Sequence, residues 1–404
     1  MDNFKPKSTV RQCLSFVPFE KLPALAVHQI DRGKKKLLTI PLLKVFLAAQ
    51  LNEWQSYGEM EEGLRADKQL REELGTKSFS GSQLSRRISQ VPTELLQELF
   101  LQTVSKVQPL CKGLNGISET IGKLKIVDSS KFKLPAALCE WTQLRADWTG
   151  VKVHVRLAVD NPFTTYPDKI VPSLGLVDDR KGARRLVVDD DATYVMDRGY
   201  VEYKLMDEWD AAGIRYVIRM WINSKENMVE EYPVEPGSNI VRDAKVQFGS
   251  TFRSMKREIR LVEFRDNDGK LYRVATNRWD LSPAEIAEIY KNRWLIELFF
   301  KWLKQHLPAA QIHSTSPQGI WNEIYLAMIA YLLSLYVRLI TQSNKTQWQV
   351  LRMIRLYGQK TWGAFERALK RKPSRSSPGR QKTGRPRARP TDLSSGVALV
   401  SDEQ

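Results

Sequence analysis

Only three cysteines occur in the chain, Cys13, Cys111 and Cys139, far apart and without a CxxC pair. Their spacing argues against a thiolate zinc site and a disulfide framework, and fits a reducing cytoplasm. Long apolar runs are missing as well. The nearest, "IYLAMIAYLLSLYV" from residue 324 to 337, falls short of a membrane span and reads as a buried helix. The opening "MDNFKPKSTV" lacks the apolar core of a secretory signal, so none is expected. No internal repeat occurs. Acidic residues are the minority, 46 Asp+Glu against 63 Lys+Arg, and the formal charge of +17 points to a polyanionic partner. Releasing counterions from phosphates rewards such a surface, so nucleic acid comes before an anionic membrane. No amphipathic basic helix or lipidation motif supports the membrane.

What is present divides the 404 residues into more than one domain, because a single core rarely grows past about 250 to 300 residues. Residues 1–115 read as helical: "LLTIPLLKVFLAAQLNEW" and "QVPTELLQELFLQTVSKV" carry apolar residues on helical spacing. Between them, Ser80 or Ser82 is placed to cap a short basic helix with Arg86 and Arg87. That helix could read DNA, or it could be an ordinary linker. From Lys123 the texture changes to short β-branched runs, "KLKIVDSS", "VKVHVRLAVD", "IVPSLGLVDD" and "TYVMD". A helix, "GYVEYKLMDEWDAAG", and a further strand, "IRYVIRM", follow. This is a mixed α/β core, expected over 120–221 and again over 277–345. Residues 222–276 interrupt it as a β-rich insertion, in which Asp268-Gly269 signals a hairpin. Ser282 and Pro283 open a helix expected to run unbroken to about Leu307, where Pro308 stops it. Residues 346–404 are expected to hold a helix and then a tail. Nine Lys/Arg and no acid between Lys370 and Arg389, among Pro, Gly and Ser, make that tail too polar to bury a core, so disorder is expected.

The expected helix carries "EIYKNRWLIELFFKWLKQHL". Taking about 100° per residue, Tyr290, Arg293, Glu297, Lys301 and Lys304 fall on one narrow stripe, with apolar residues over most of the remainder. Such a stripe can be a solvated face held by i,i+4 pairs, with Lys301 a partner of Glu297. A glutamate flanked only by cations also suits a metal ligand beside a phosphate, the cations taking the phosphate oxygens. Companion carboxylates are then needed. Asp128 ends the strand "KIVD" and Asp197 the strand "TYVMD", where side chains of one sheet can converge. The clusters "VDDR" at 177–180 and "VVDDDAT" at 187–193 sit in expected turns and read as solvated. His154 and His306 lie near these motifs and read as structural.

Tyr290-x2-Arg293-x3-Glu297-x6-Lys304 resembles the tyrosine, arginine, glutamate, lysine signature of the insertion-sequence-four family of bacterial DDE transposases, and "DRGY" at 197–200 is similar to that family's second aspartate region. The order Asp128, Asp197, β-rich insertion, Glu297 follows the same pattern, and the likeness covers most of residues 1–340. It implies an RNase H-like catalytic core with a β-stranded insertion and an all-α N-terminal DNA-binding region; the basic tail is not part of the pattern. It further implies that Asp128, Asp197 and Glu297 hold two Mg²⁺ ions, which Mn²⁺ could replace, and that Tyr290, Arg293 and Lys304 contact phosphates of the element's ends. Arg198, Lys301, Arg86 and Arg87 are further DNA-binding candidates. A tryptophan that supports an extruded base is a device of this family, with Trp221 and Trp279 as candidates. Cut-and-paste transposition by a homodimer holding two DNA ends in the cytoplasm is the function implied. The alternatives are an RNase H-like nuclease or resolvase, and a catalytically idle DNA-binding protein derived from such an element.

Overall fold

The computed structural model describes residues 7–111, 116–134, 140–145, 148–161, 164–250, 253–307 and 312–371. Cys139, Pro308 and the stretch from Lys372 to Arg389 lie outside the described residues, and with them the expectations for the tail.

Helices come first along the chain: α1 (Thr9–Leu14), α2 (Ala24–Asp31), α3 (Thr39–Asn52), α4 (Tyr57–Ala66), α5 (Lys68–Glu73), α6 (Gly81–Ile88) and α7 (Thr93–Cys111). The α/β part opens with β1 (Leu124–Lys133), β2 (Gln143–Arg145), β3 (Trp148–Asn161) and β4 (Thr164–Leu174). It continues with α8 (Asp179–Leu186), β5 (Thr193–Met196), α9 (Tyr203–Ala211) and β6 (Arg215–Arg219). Five strands follow, β7 (Glu226–Tyr232), β8 (Ile240–Ser250), β9 (Arg253–Ser254), β10 (Ile259–Arg265) and β11 (Leu271–Thr276). Then come α10 (Pro283–Lys291), α11 (Trp294–His306), α12 (Pro317–Ile340), α13 (Gln347–Leu356) and α14 (Trp362–Lys370).

One mixed sheet organises the α/β part, in the order β2-β3-β1-β5-β6-β11-β10-β8-β7, with β4 beside β3 and β9 beside β8. At its centre β1, β5 and β6 run parallel, and the other pairs are antiparallel. The expected insertion is therefore a continuation of the sheet, because β11 pairs with β6 from Val274–Arg219 to Thr276–Val217. Its hairpin forms where Asp268-Gly269 signals one, with Gly269 at φ 79°, a conformation glycine adopts without a Cβ penalty. Side chains alternate strictly across the parallel strands. Ile126, Val195 and Val217 face one apolar core with α7, α10, α11 and α12, while Val127, Tyr194, Met196, Tyr216 and Ile218 face a second with α8 and α9.

The N-terminal helices do not stand apart. α12, whose most apolar stretch is 78% buried, packs against α3 and α7, so the expected N-terminal region and the chain beyond residue 317 share one core. Polar side chains lock the join. Asn322 donates to the carbonyls of Ile88 and Val91, and buried Glu323 accepts from Tyr57 Oη at 2.7 Å and from the backbone of His313 and Ser314. These bonds hold α6 in place. Ser80 caps α6 with a full capping box alongside Gln83.

Three sequence expectations fail here. The helix from Ser282 is not continuous: it breaks between α10 and α11, where the N–H groups of Asn292, Arg293, Leu295 and Ile296 bond three residues back. Asn292 supports the break, because its side-chain amide bonds the Glu288 carbonyl and competes with the helical ladder. The second concerns "VDDR", expected to be a solvated turn. It starts α8 instead, with Asp178 accepting from Arg180 N as N-cap. "VVDDDAT" is likewise not simply solvated: Asp189 pairs with Lys125 and Arg156, and Asp191 with Lys125.

Candidate active site

Register brings the first two carboxylates together. β1 and β5 pair in parallel up to Val127–Met196, and the next residue on each strand is an aspartate, Asp128 and Asp197. By alternation Asp128 falls on the same face as Ile126, the face on which α11 packs against β1. Each carboxylate is held by a nearby backbone N–H: Asp128 Oδ1 accepts from Ser129 at 2.7 Å, and Asp197 Oδ1 from Gly199 at 2.6 Å, capping a single 3₁₀ turn. Burial first, and then the charge of Asp197, push the Asp128 carboxyl up to about 7, against the bond from Ser129 and the charge of Arg293. A desolvated carboxyl beside a second carboxylate is the arrangement that a divalent cation relieves, so these two residues fit one.

Glu297 approaches from the helix side. α11 is anchored by Ile296, Phe299, Phe300 and Leu303, all buried, with the Phe299 ring edge-on to Tyr331 at 5.0 Å. Burying a side chain of this size contributes roughly 1.5–3 kcal/mol, which fixes the helix on the sheet. Leu298, expected on the apolar face, stands exposed, as does Trp294. The Glu297 carboxylate is occupied by Arg293, whose Nη2 donates to Oε1 at 2.5 Å. The charge of Arg293 also reaches Asp128, so one guanidinium serves carboxylates on both sides. Among the described residues, no three His, Cys, Asp or Glu side chains are gathered closely enough to hold a metal ion. The two strand aspartates fit a cation as they stand; Glu297 does not while Arg293 holds it.

The remaining candidates separate. Arg198 is exposed and lies over the Trp221 ring at 4.3 Å, directly after Asp197. Trp221 also lines a cleft of about 430 Å³ with Arg180, Tyr203, Asn223 and Lys225. Trp279 lies elsewhere, against Tyr232 and 6.0 Å from Arg260, which is itself bound to Asp243. Lys304 is exposed near the Phe132 ring, and partial burial lowers its ammonium below the ordinary lysine range. Lys301 is exposed and makes no ion pair among the described residues; the i,i+4 partner of Glu297 is Arg293, not Lys301. Arg86 is exposed on α6.

Two candidates, Arg87 and Tyr290, are buried. Arg87 is buried and spent on structure: it donates to the Leu37 carbonyl, Gln90 and Asp31, so it has no free edge for DNA. Tyr290 is 4% exposed, its ring against Tyr272 and Phe264 and its enclosed hydroxyl near Arg293, Arg219 and Asp197. It lies on α10, before the break, and no longer shares a helix with Glu297. Reasoning from sequence also misses Arg219, which ends β6 one strand away from Asp197 and lies 4.7 Å from the Tyr272 ring. The charged end of an otherwise apolar strand, "YVIR", is the signal it carries. The two histidines are structural: His154 is wholly buried and bonded to Ser173, with its imidazole pushed down to about 4 by burial, and His306 stacks on Trp348 at 3.8 Å.

Residues 122–333, which span β1 to most of α12, match the family described as the transposase DDE domain. A Geobacillus stearothermophilus protein named "Probable transposase for insertion sequence element IS5377" is 28% identical over 319 residues, covering 78% of this chain and 80% of its own. A Sinorhizobium fredii protein, y4zB, also carries the name of a transposase and is 28% identical over 265 residues, 63% of this chain and 72% of its own. A Synechocystis protein named for the insertion sequence element IS4SA is 28% identical over 209 residues, 49% of this chain and 57% of its own.

Proposed function

This chain belongs to the transposase DDE-domain family, and from that premise we propose that it cuts DNA at the two ends of an insertion sequence and joins the freed 3′-OH ends to target DNA. The observation that supports the reading is that Asp128, within β1, and Asp197, directly after β5, each stand one residue past the Val127–Met196 parallel pair, with Glu297 on the helix packed against β1. In this reading Asp128, Asp197 and, once released by Arg293, Glu297 hold divalent cations, Mg²⁺ or Mn²⁺. Bound there, the cations supply nucleophile activation and leaving-group stabilisation, so no protein general base is needed.

The chain's own residues then have distinct tasks. Arg293 neutralises Glu297 until a phosphate offers the guanidinium a better partner; a planar fork suits both carboxylate and phosphate. Arg198 and Lys304 line the approach and take phosphate oxygens, with Lys301 and Arg86 contributing positive charge farther out. Trp221, rather than Trp279, is placed to stack a displaced base, because it already stacks on the arginine next to Asp197. A homodimer would hold both ends.

The test is a pair of assays with terminal inverted-repeat DNA. Cleavage of the end should require Mg²⁺ or Mn²⁺, and precleaved ends with a 3′-OH should be joined into a target duplex. Cleavage without joining would make the protein an RNase H-like nuclease. Binding with neither reaction would make it an idle DNA-binding protein.

A further inference from the structure

Asp179, outside the triad, reaches the same sheet edge from the α8 side. Its two oxygens have different surroundings. Oδ1 accepts from Ser129 Oγ at 2.7 Å and Lys152 Nζ at 3.1 Å, with His154 Nδ1 at 3.6 Å. The bonds from Ser129 and Lys152 fix the side chain. Oδ2 takes none of them and lies 3.8 Å from the point where a Cβ on residue 199 would stand; Asp197 Oδ1 lies 3.2 Å from the same point. Residue 199 is a glycine, so no side chain separates the two carboxylates, and their oxygens are no farther apart than the sum of those distances.

An independent feature points into the same space. Tyr200 is 1% exposed, and its hydroxyl is enclosed without a hydrogen-bond partner. It faces Ser129 and the carboxylates of Asp128, Asp179 and Asp197. A free carboxylate oxygen and an enclosed hydroxyl together need a ligand that can both donate and accept. A bare anion would be repelled by three aspartates, and the three carboxylates are not gathered closely enough to ligate one ion together, which leaves Asp179 outside the direct ligands. A hydrated divalent cation meets both needs: its water molecules donate to carboxylates and can accept from the phenol, and Mg²⁺ keeps several of them.

We propose that Asp179 is a positioning residue for the cation held by Asp128 and Asp197, its free Oδ2 holding water of the ion's hydration shell with Tyr200 completing the cradle. This rests on the reading of Asp128 and Asp197 as the metal-holding pair. The experiment is calorimetric titration of the full chain with Mn²⁺ alone, with thermal stability and affinity for inverted-repeat DNA measured in parallel. Asp179→Asn keeps the shape and removes the charge; Mn²⁺ affinity should fall about 10-fold or more, with melting temperature and DNA affinity as in the parent. Asp128→Asn should abolish the same binding event. Parent-like affinity in Asp179→Asn alongside loss in Asp128→Asn overturns the role of Asp179 and leaves the pair intact. Parent-like behaviour in both, or no binding by the parent, overturns the pair as well. Should Asp179→Asn fail to fold for want of a partner for Lys152, Gly199→Ala serves instead: its methyl enters the gap between the oxygens and leaves every donor to Asp179 in place. Mn²⁺ affinity should fall there too, and an unchanged value overturns the proposal.

Discussion

The strand side and the helix side of the site are built differently. Asp128 and Asp197 are set by hydrogen-bonded register, one residue past a buried parallel pair, and each is pinned by a neighbouring N–H. Glu297 stands on a helix that begins at a break in the chain, and its carboxylate is engaged by Arg293. One half is assembled by folding alone, and the other is tied up within the folded chain. A site so divided would complete itself only when something else takes Arg293.

The largest effects should come from removing carboxylates. Asp128→Asn, Asp197→Asn and Glu297→Gln should each lower metal-dependent end cleavage by about 1,000-fold or more, with binding to the inverted repeat retained; each substitution removes a charged metal ligand. If Glu297→Gln kept near-parent cleavage while the strand variants lost it, the helix side would not belong to the site. Next comes Arg293→Ala, which should act in opposite directions on two readouts. Mn²⁺ affinity without DNA should rise by about 3- to 10-fold as Glu297 is released, since a charged hydrogen bond contributes roughly 1.5–3 kcal/mol against partial exposure, while end cleavage falls. Parallel losses in both would mean that the pair is only structural. Trp221→Ala should cost about 10-fold in end cleavage, a stacking contact of 1–3 kcal/mol, and Trp279→Ala should cost little.

A last effect is read in stability, not activity, under the strand side. The His154 imidazole, pushed down to about 4 by burial, is depressed below its unfolded value. Its contribution is therefore present above about pH 6.5 and lost as the pH falls through about 4, up to roughly 3 kcal/mol at full extent. The melting temperature of the parent should drop over that window, and a His154→Gln variant should show a flatter acid limb.

What can be read from sequence follows the same division. Strand alternation is a local pattern and the parallel register honours it; Asp197 follows β5 as expected, whereas Asp128 does not end its strand, because β1 continues to Lys133 against β3. The break at Asn292 hangs on one side-chain amide bonding a carbonyl four residues back, which a periodicity of 3.6 over an apolar stretch conceals. Tyr290 lies before that turn, on α10, and Glu297 after it, on α11. Arg87 shows another limit: its neighbour Arg86, of the same type, is exposed, and only the positions of Asp31 and the Leu37 carbonyl decide which of the two is buried. α8 escapes notice because its eight residues include four cations and bury only Gly182, Ala183 and Leu186, too short a signal to stand out.

The pairing of β11 with β6 bears on any attempt to shorten the chain. A cassette can be lifted out of a protein cleanly when its edges are loops; here the cut would run through a ladder. Deleting residues 222–276 would strip the partner from β6, whose Tyr216, Val217 and Ile218 are wholly buried, and leave a naked apolar edge ready to recruit other chains. A truncated protein of that kind should precipitate rather than report on the insertion's role. Point substitutions on the exposed strand β7 are the safer instrument.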